Sequence, residues 1–468
     1  MMHKTILIIL MCLTAIPDLN AQKSLSLEEC RELALQNSEE IRIARYQIDK
    51  ALIEQAAVKT SKLPSVAASA TGLYLARDIE MELWLPTAVP NPATGELTPN
   101  VMVNPVTGQP VIGADGNPLF NMYAWLPLEI SLKGAYLAGI TIEQPVYTGG
   151  RISAGIAMTS IGVEMSKENL AMQQANVIYD TDQSYWLYVS VQEKVKLARA
   201  YEQLLGELVV RMEHASETGL TMRNDLLKVM VKHNEAKLQL QKAQSGLELT
   251  RMALCRQLGL AFDTPVVTTD STLNKGWTFP GGTNPGVTGR PEYRLMQQQV
   301  EMAAQQLKLA KAAFLPVAGI SLGYSYVGGI EFGTVDYDSS NASVMASLKI
   351  PLFHWGEGKK KQMSAQHDIE IRKSELKRNV SLMALEIEQA RLNLEDARLR
   401  AGLVQKNLVQ AEENLRVNRD NFEVGMGVLS DLLEAQALWQ SARSDLIEAG
   451  ADLKLKETAY LRATGELK

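Results

Sequence analysis

The sequence predicts an internally duplicated α+β membrane protein, in which each chain supplies four strands to a transmembrane β-barrel that long helices continue as a coiled coil. Three observations predict this fold class: a repeat in the two halves of the chain, four segments in which apolar and small polar residues alternate, and two long proline-free segments with heptad-spaced apolar residues. The composition agrees, because hydrophobic residues make up 46% of the chain and aromatic residues only 6%. That balance favours Ala- and Leu-rich helices over a large sandwich core.

The duplication is seen as collinear matches in two registers. The matches at an offset of 206 residues are residues 217–227 (ETGLTMRNDLL) with 423–433 (EVGMGVLSDLL), and Pro145 with Pro351. A second offset, of 252 residues, relates Leu63-Pro64 to Leu315-Pro316. Collinear matches of this kind indicate a repeat, and the difference between the offsets places an insertion in the first half, between residues 64 and 145.

The repeat divides the chain into predicted segments, which are a signal peptide (1–21), a first repeat (22–260), a Gly-, Pro- and Thr-rich linker (261–290) and a second repeat (291–468). The signal peptide is predicted because His3 and Lys4 precede a short apolar run, with cleavage after Ala21. Cys12 leaves lipidation of the N-terminus open. The sequence has no later stretch of ~20 apolar residues, so any membrane insertion must be by strands.

Each repeat is predicted to hold a helix, two strands and a helical hairpin. The predicted strands are residues 65–77, 135–147, 317–328 and 342–353. Apolar residues occupy their even-numbered positions, as Ile320 and Leu322 do against Ser321 and Gly323. Tyrosine and tryptophan residues near the strands are typical of an interfacial girdle; they are Tyr74, Trp84, Trp125, Tyr136, Tyr147, Tyr324, Tyr326 and Trp355. Four strands cannot close a barrel, since the smallest barrels need ~8; three chains would supply twelve.

The helical hairpins are predicted at residues 151–257 and 358–463. Each begins with a helix of roughly 95 Å, at ~1.5 Å per residue, whose apolar residues recur three and four apart in a coiled-coil pattern. The shorter helices at residues 40–62 and 292–314, added to the returning helices, nearly equal the long ones in length. Each chain would then offer four helical columns, and three chains would offer twelve.

Together these features resemble the TolC-like outer-membrane efflux family over essentially the whole mature chain. The resemblance lies in the Leu-Pro pair that enters a strand in each half, in the strand-ending Pro145 and Pro351, and in the paired turns in which Asp follows Gly by six residues. It implies a homotrimer in the outer membrane of a Gram-negative bacterium, with a twelve-stranded barrel and a twelve-helix periplasmic tunnel.

The resemblance also implies a function. Such a trimer would be a passive conduit for drugs or other small toxic compounds, gated at its periplasmic tip and working with a periplasmic adaptor and an inner-membrane pump. Protein secretion and metal-ion efflux remain alternative cargoes. A structural coiled-coil tether is the alternative from another class, but it would not need the polar strand face formed by residues such as Ser321, Ser343 and Thr141.

Candidate gate residues follow the turns. Asp431 and Glu434 are three residues apart on one helix and share a face, so a trimer would stack two rings of carboxylates. The resemblance implies that they line the tunnel mouth, with Glu434 in place of a second Asp and Gly427 where the family has a cation. Asp225 is the counterpart in the first repeat, and Arg223 is a candidate compensating cation. The alternative is that these are first-turn acids favoured by the helix dipole.

The turns themselves are predicted to dock the adaptor. Gly219 and Gly425 end long helices, where a positive φ is commonly needed. Leu220, Met426 and Val428 are apolar residues beside them. A tip-to-tip contact would bury these side chains.

The insertion, residues 78–132, holds eight prolines and six acidic residues and no Lys or Arg. Since the outer loops of such barrels are long and the periplasmic turns short, it is predicted to be extracellular, either as a cap or as a solvated variable loop. Cys30 and Cys255 leave two alternatives open, a disulfide or two buried thiols.

Other function classes are not supported by the sequence. The net charge of −6 gives no general attraction to nucleic acid. The five His residues are scattered, and the sequence has neither a phosphate-binding glycine motif nor a nucleophile elbow. No enzyme activity and no cofactor are therefore predicted. Met158, Met165 and Met172 form a heptad-spaced stripe that could bind soft metals, but core packing is its more ordinary use.

Overall fold

The computed structural model describes residues 23–86, 88–91, 93–121, 125–219, 221–271, 286–332 and 335–467. The predicted signal peptide and residues 272–285 of the predicted linker lie outside the described residues. The strands are β1 (Lys23–Leu25), β2 (Ser65–Pro86), β3 (Ala88–Pro90), β4 (Leu97–Pro99), β5 (Trp125–Tyr147), β6 (Val266–Thr268), β7 (Val317–Phe332) and β8 (Val335–Lys349). The helices are α1 (Leu27–Asn37), α2 (Glu39–Thr60), α3 (Arg151–Glu217), α4 (Arg223–Leu258), α5 (Pro291–Ala312), α6 (Glu357–Glu423) and α7 (Leu429–Thr464).

The chain divides into two compact units. Residues 56–156 and 307–363 form a strand unit, and the remaining described residues form a helical unit.

The strand unit is built on an antiparallel sheet with the strand order β2-β5-β7-β8. Its register joins even-numbered positions to one another across all four strands, as in the row Ala68, Ile140, Tyr324 and Ala342. The adjacent row of odd-numbered positions is Ala67, Thr141, Gly323 and Ser343. Because successive residues point to opposite faces of a sheet, one face is apolar and the other is lined by small and polar residues, as the alternation predicts.

The predicted bounds of the insertion are wrong. β2 continues to Pro86 and β5 begins at Trp125, so both ends of the segment 78–132 are strand and the connection between them is residues 87–124. The register shifts between Tyr74 and Ile79 in a β-bulge. Beyond the bulge the apolar residues of β2, such as Ile79 and Met81, fall on odd positions. The even-position pattern therefore ends at the bulge although the strand does not.

The second pair of strands also departs from its predicted bounds. β7 and β8 extend toward each other to Phe332 and Val335. β8 ends at Lys349 rather than at residue 353, two residues before Pro351, which lacks the amide hydrogen a ladder requires.

The connection between β2 and β5 contains the sequence N-P-x-T-G-E/Q twice, at residues 91–96 and 104–109. In each turn the amide of the glycine, Gly95 or Gly108, donates to the backbone carbonyl of the asparagine at 2.8 Å. The side-chain oxygens of Asn91 and Asn104 each accept a backbone amide at 2.9 Å from the residue two positions later. The connection thus has repeated local structure, and its role as an extracellular cap stays a prediction.

The helical unit contains two hairpins of matching length. The long helices α3 and α6 each have 67 residues, and the returning helices α4 and α7 each have 36. These helices, with α2 and α5, begin and end within two residues of their predicted bounds. Among the described residues, none of the helices combines the length and apolarity needed to cross a membrane.

The helical unit also contains elements that the sequence reading did not predict. β1 pairs in parallel with β6, and α1 begins with a capping box between Ser26 and Glu29. They enclose a core of buried residues, which are Leu25, Cys30, Ala34, Ile41, Val177, Tyr185, Trp186, Tyr188, Val189, Leu254, Cys255, Leu258, Val266 and Ala451. Cys30 and Cys255 are both buried and form no disulfide, so the disulfide alternative is wrong.

Candidate functional site

Two turns connect the helices of the hairpins, and each holds a glycine in the left-handed conformation. The φ angle is 74° at Gly219 and 75° at Gly425, as the sequence predicts. Met426 and Val428 are exposed beside Gly425, and Met222, which the sequence reading did not single out, is 75% exposed beside Gly219. Leu220 lies outside the described residues. Both turns therefore present apolar side chains that a partner protein could cover.

Asp431 and Glu434 lie together on the exposed side of the first turns of α7. The opposite side of the helix is fixed by Leu429, Leu432 and Ala435, which are buried. The Ser430 hydroxyl donates to the Asp431 carboxylate at 3.2 Å. The structure thus brings the two predicted carboxylates to one helix face, and it also places Asp431 in the helical turn where the dipole favours an acid.

Asp225, the counterpart in the first hairpin, has a different environment. Its carboxylate pairs with Lys228 at 3.0 Å on the same helix, and the Arg223 side chain is exposed two residues before it. Among the described residues, Asp431 and Glu434 have no cationic partner of this kind. The two hairpins therefore differ in charge at equivalent positions: the first neutralises its acid locally and the second exposes two carboxylates.

A shared core beneath the turns joins the two hairpins. Its buried residues come from α3, α4, α6 and α7, and are Tyr201, Leu205, Leu208, Val209, Met212, Val229, Ala236, Leu415, Leu429, Leu432 and Ala435. Arg211 pairs with Glu423 at 3.0 Å across the hairpins, and His233 contacts Glu202 at 2.9 Å within the first. Heptad spacing along α3 places its apolar residues in this seam, so packing fixes the positions of both turns.

The sheet of the strand unit leaves its apolar face uncovered. The exposed side chains on that face include Val66, Ile140, Leu322, Tyr324, Val344 and Leu348. In the described sheet, β2 and β8 are edge strands, each paired on one side. An exposed apolar face between two open edges is the property expected of part of a barrel in lipid.

Aromatic side chains stand at both ends of this face. Tyr136 and Tyr326 have ring centroids 5.9 Å apart, and the Tyr136 hydroxyl donates to Asp338 at 3.4 Å. Tyr74, Tyr147 and Trp355 are exposed, whereas the side chains of Trp84 and Trp125 lie outside the described ones. The described aromatic residues therefore fit the predicted girdle.

In the described part of the chain, no three His, Cys, Asp or Glu side chains are grouped so that they could hold a metal ion. Met158, Met165 and Met172 are half-buried on α3, which fits the packing interpretation of the stripe.

Comparison with known proteins relates the chain to a family and to a known fold. Residues 288–466 match the family model for outer membrane efflux protein. The fold matches the crystal structure of the Campylobacter jejuni CmeC outer membrane channel with a TM-score of 0.71, at 16% identity over 94% of this chain and 85% of CmeC. The second half of the chain thus matches the outer membrane efflux protein family, and the chain has the TolC-like fold of these channels.

Two relatives extend the comparison to sequence. The chain is 25% identical to protein CyaE of Bordetella pertussis over 267 residues, which is 54% of each protein. It is 21% identical to the alkaline protease secretion protein AprF of Pseudomonas aeruginosa, over 68% of this chain and 67% of AprF. The alignment thus spans about half of CyaE and two thirds of AprF.

These matches bear on several predictions made from the sequence. The fold class is the TolC-like fold of long helices and β-strands. The matched family model and structure are of outer-membrane channels, in agreement with the predicted outer-membrane location and non-enzymatic transport class. The sequence reading did not find the group around buried Asp182, which Arg31 and Thr458 contact; the one sequence signal nearby was the Ser26-x-x-Glu29 capping box before α1.

Proposed function

We propose that three copies of this chain close their sheets into one twelve-stranded barrel and associate their helices into a periplasmic tunnel, forming a passive conduit. The observation that carries this proposal is the sheet itself, with an exposed apolar face and two open edges. Backbone groups in lipid must all be paired, so β2 of one copy needs β8 of the next. Three sheets of four strands supply enough strands for closure.

The opposite face of the sheet favours a conduit over a structural tether. Its odd-numbered positions carry small and polar residues, such as Ser69, Gly139 and Ser325, which are register neighbours. A barrel that merely anchored a coiled coil would gain by filling its interior with apolar side chains. A water-filled channel instead requires a polar lining.

The partners proposed for the trimer are a periplasmic adaptor and an inner-membrane pump. Gly219 and Gly425 shape the two turns, and the exposed Met222, Met426 and Val428 supply apolar contact area. Interfaces bury such side chains at their centre. Asp431 and Glu434 are proposed to line the periplasmic mouth, with Asp225 and Arg223 contributing from the first hairpin.

Small molecules, such as drugs or other toxic compounds, are the proposed cargo, supported by the efflux family model. Secretion of a polypeptide is the second candidate, because the relative AprF is named an alkaline protease secretion protein. Deleting the gene separates the two: hypersensitivity to drugs supports small-molecule efflux, and loss of a secreted protein from the culture medium supports polypeptide export.

The conduit is tested with the purified protein. Light scattering corrected for detergent should give the mass of a trimer, and the trimer should produce discrete conductance steps in planar bilayers. A monodisperse monomer would overturn the architecture. The same measurement is made on the variant Asp431→Asn with Glu434→Gln, which removes the charge of the tip carboxylates. If this trimer inserts into bilayers but does not conduct, the result favours the tether.

A further inference from the structure

Between the bulges and the strand ends that adjoin the helices, the polar face of the sheet carries charged residues only near those strand ends. In residues 65–74, 134–143, 317–327 and 339–349, the odd-numbered positions are Ser, Thr, Asn, Gly, Ala, Val, Leu or Met with two exceptions. These are Glu143 on β5 and Lys349 on β8. Beyond the bulges the strands pair again, and one row there contains the acidic residues Glu80, Glu331 and Asp336. Glu143 lies in register between Ser65 and Ser321, and Lys349 is paired with Val317. Both exceptions are therefore close to strand ends that adjoin helices in the chain, Glu143 before α3 and Lys349 before α6.

Glu143 also lines a cavity on this face. The cavity has a volume of about 710 Å³ and is lined by Glu143, Arg151, Ser65, Ser321 and Ser347, among others. Arg151 is the first residue of α3. Neither the Glu143 carboxylate nor the Arg151 guanidinium forms a salt bridge with another described residue. A carboxylate and a guanidinium, with hydroxyls between them, are thus both available to a solute.

Lys349 stands apart from this cavity. The register partners of Lys349 and Glu143 on β7 are Val317 and Ser321, which are four residues apart along the strand. Two strand spacings separate β5 from β8. The Cα atoms of Glu143 and Lys349 are therefore roughly 16 Å apart, too far for a direct ion pair. Within one chain, Lys349 therefore does not neutralise Glu143.

We propose that Glu143 and Arg151 form a charge-selecting site inside the conduit, which takes zwitterionic small molecules of drug-like size. The inference rests on the proposed function, since the polar face becomes a pore lining only in the trimer. Opposite charges that face one space create a field that orients a dipolar solute, and each charged end of a zwitterion finds its counter-charge. The volume is in the range of small-molecule sites, and the lining of the face between this site and the bulges is neutral.

The site is tested in planar bilayers with a dipeptide as a zwitterionic blocker. Its N-acetylated form is the anionic probe of similar size and its amidated form the cationic probe. All channels carry Asp431→Asn and Glu434→Gln, so that the tip carboxylates do not mask the site. The quantity measured is the concentration of each probe that halves the current. Light scattering first confirms that every variant is a trimer.

Glu143→Gln should raise the half-blocking concentration of the zwitterion and the cation about fivefold, the size of a solvent-accessible charge contact, and should leave the anion unchanged. Arg151→Gln should raise the half-blocking concentration of the anion about fivefold and leave the cation unchanged. It should weaken block by the zwitterion as much as Glu143→Gln does. Asp338→Asn is the matched control, because it removes a carboxylate from the opposite face of the same sheet, and it should change no probe.

Equal block of the parent channel and both variants overturns the site while leaving the conduit intact. The site is also overturned if Asp338→Asn changes the half-blocking concentrations as much as Glu143→Gln does, because block would then depend on the overall charge of the channel. Failure of the conduit itself is distinct, since it appears as absent conductance in the parent. An independent check is Glu143→Cys, which a charged methanethiosulfonate reagent should modify with a change in current; the native Cys30 and Cys255 are buried and should not react.

Discussion

Arg31 and Asp182 form a bidentate ion pair that joins the short helix α1 to the middle of the long helix α3. The guanidinium Nε and Nη2 donate to the two carboxylate oxygens at 2.8 and 2.6 Å. The Asp182 side chain is completely buried, and the Thr458 hydroxyl donates to the same carboxylate at 2.6 Å from α7. Hydrogen bonding to Asp182 raises the pKa of the Arg31 guanidinium. Three helices thus depend on one buried carboxylate.

Replacing Arg31 with Ala should destabilise the helical unit by about 3–5 kcal/mol, because Asp182 would stay buried with its charge uncompensated. Denaturant titration of the detergent-solubilised protein measures the loss. Arg42→Ala is the matched control: Arg42 pairs with Glu39 on an exposed surface, and its loss should cost under about 1 kcal/mol. A combined Arg31→Met and Asp182→Leu variant should recover most of the stability. If it is no more stable than Arg31→Ala, the buried charge is not the cause.

The sequence predicts the long elements well and the short ones poorly, for physical reasons. Proline-free heptads fix α3 and α6 to within two residues, because each turn repeats the same signal. The sheet faces follow from period-2 alternation until the bulge after Tyr74 changes its phase. The pairing of β1 with β6 joins two three-residue strands across more than two hundred residues, and Arg31 is 151 residues from Asp182. Such contacts have no local pattern.

Both thiols of the mature chain should resist maleimide in the native protein and react fully after unfolding without reductant. Cys30 and Cys255 are buried and form no disulfide, and burial raises the pKa of the Cys255 thiol. Because the reactive species is the thiolate, labelling should stay slow even as the pH rises past about 8.5, the value for an unperturbed thiol. Mass spectrometry counts the labels, and Ser430→Cys provides an exposed positive control. Two unlabelled cysteines after unfolding would indicate a disulfide.

Gly425→Val should weaken association with the adaptor while leaving insertion of the strands intact. A left-handed conformation costs a β-branched residue roughly 1–2 kcal/mol, and φ at Gly425 is 75°. A Cβ there would meet no neighbouring atom within 4 Å, so the effect is conformational rather than steric. Site-specific cross-linking to the adaptor measures it. Gly425→Asn is the conservative control, since Asn tolerates this conformation, and it should retain cross-linking. Unchanged cross-linking of the Val variant would show that the turn does not dock.

The exposed carboxylates of the second hairpin should make the periplasmic mouth cation-selective and sensitive to multivalent cations. In a closed trimer, three copies of Asp431 and Glu434 would bring six carboxylates together, and their field would concentrate cations. Clustered carboxylate oxygens suit hard divalent and trivalent ions. Asp431→Asn combined with Glu434→Gln removes the charge at nearly constant volume, so it should relieve block by a trivalent cation added on the periplasmic side of a planar bilayer.

Asp225→Asn is the matched control from the first hairpin and should have a smaller effect, because Asp225 already pairs with Lys228. The acidic connection between β2 and β5 could also attract cations, but its predicted location is extracellular, so the side of addition separates the two. If the double variant is blocked from the periplasmic side at the same concentration as the native channel, Asp431 and Glu434 are ordinary helix-start acids.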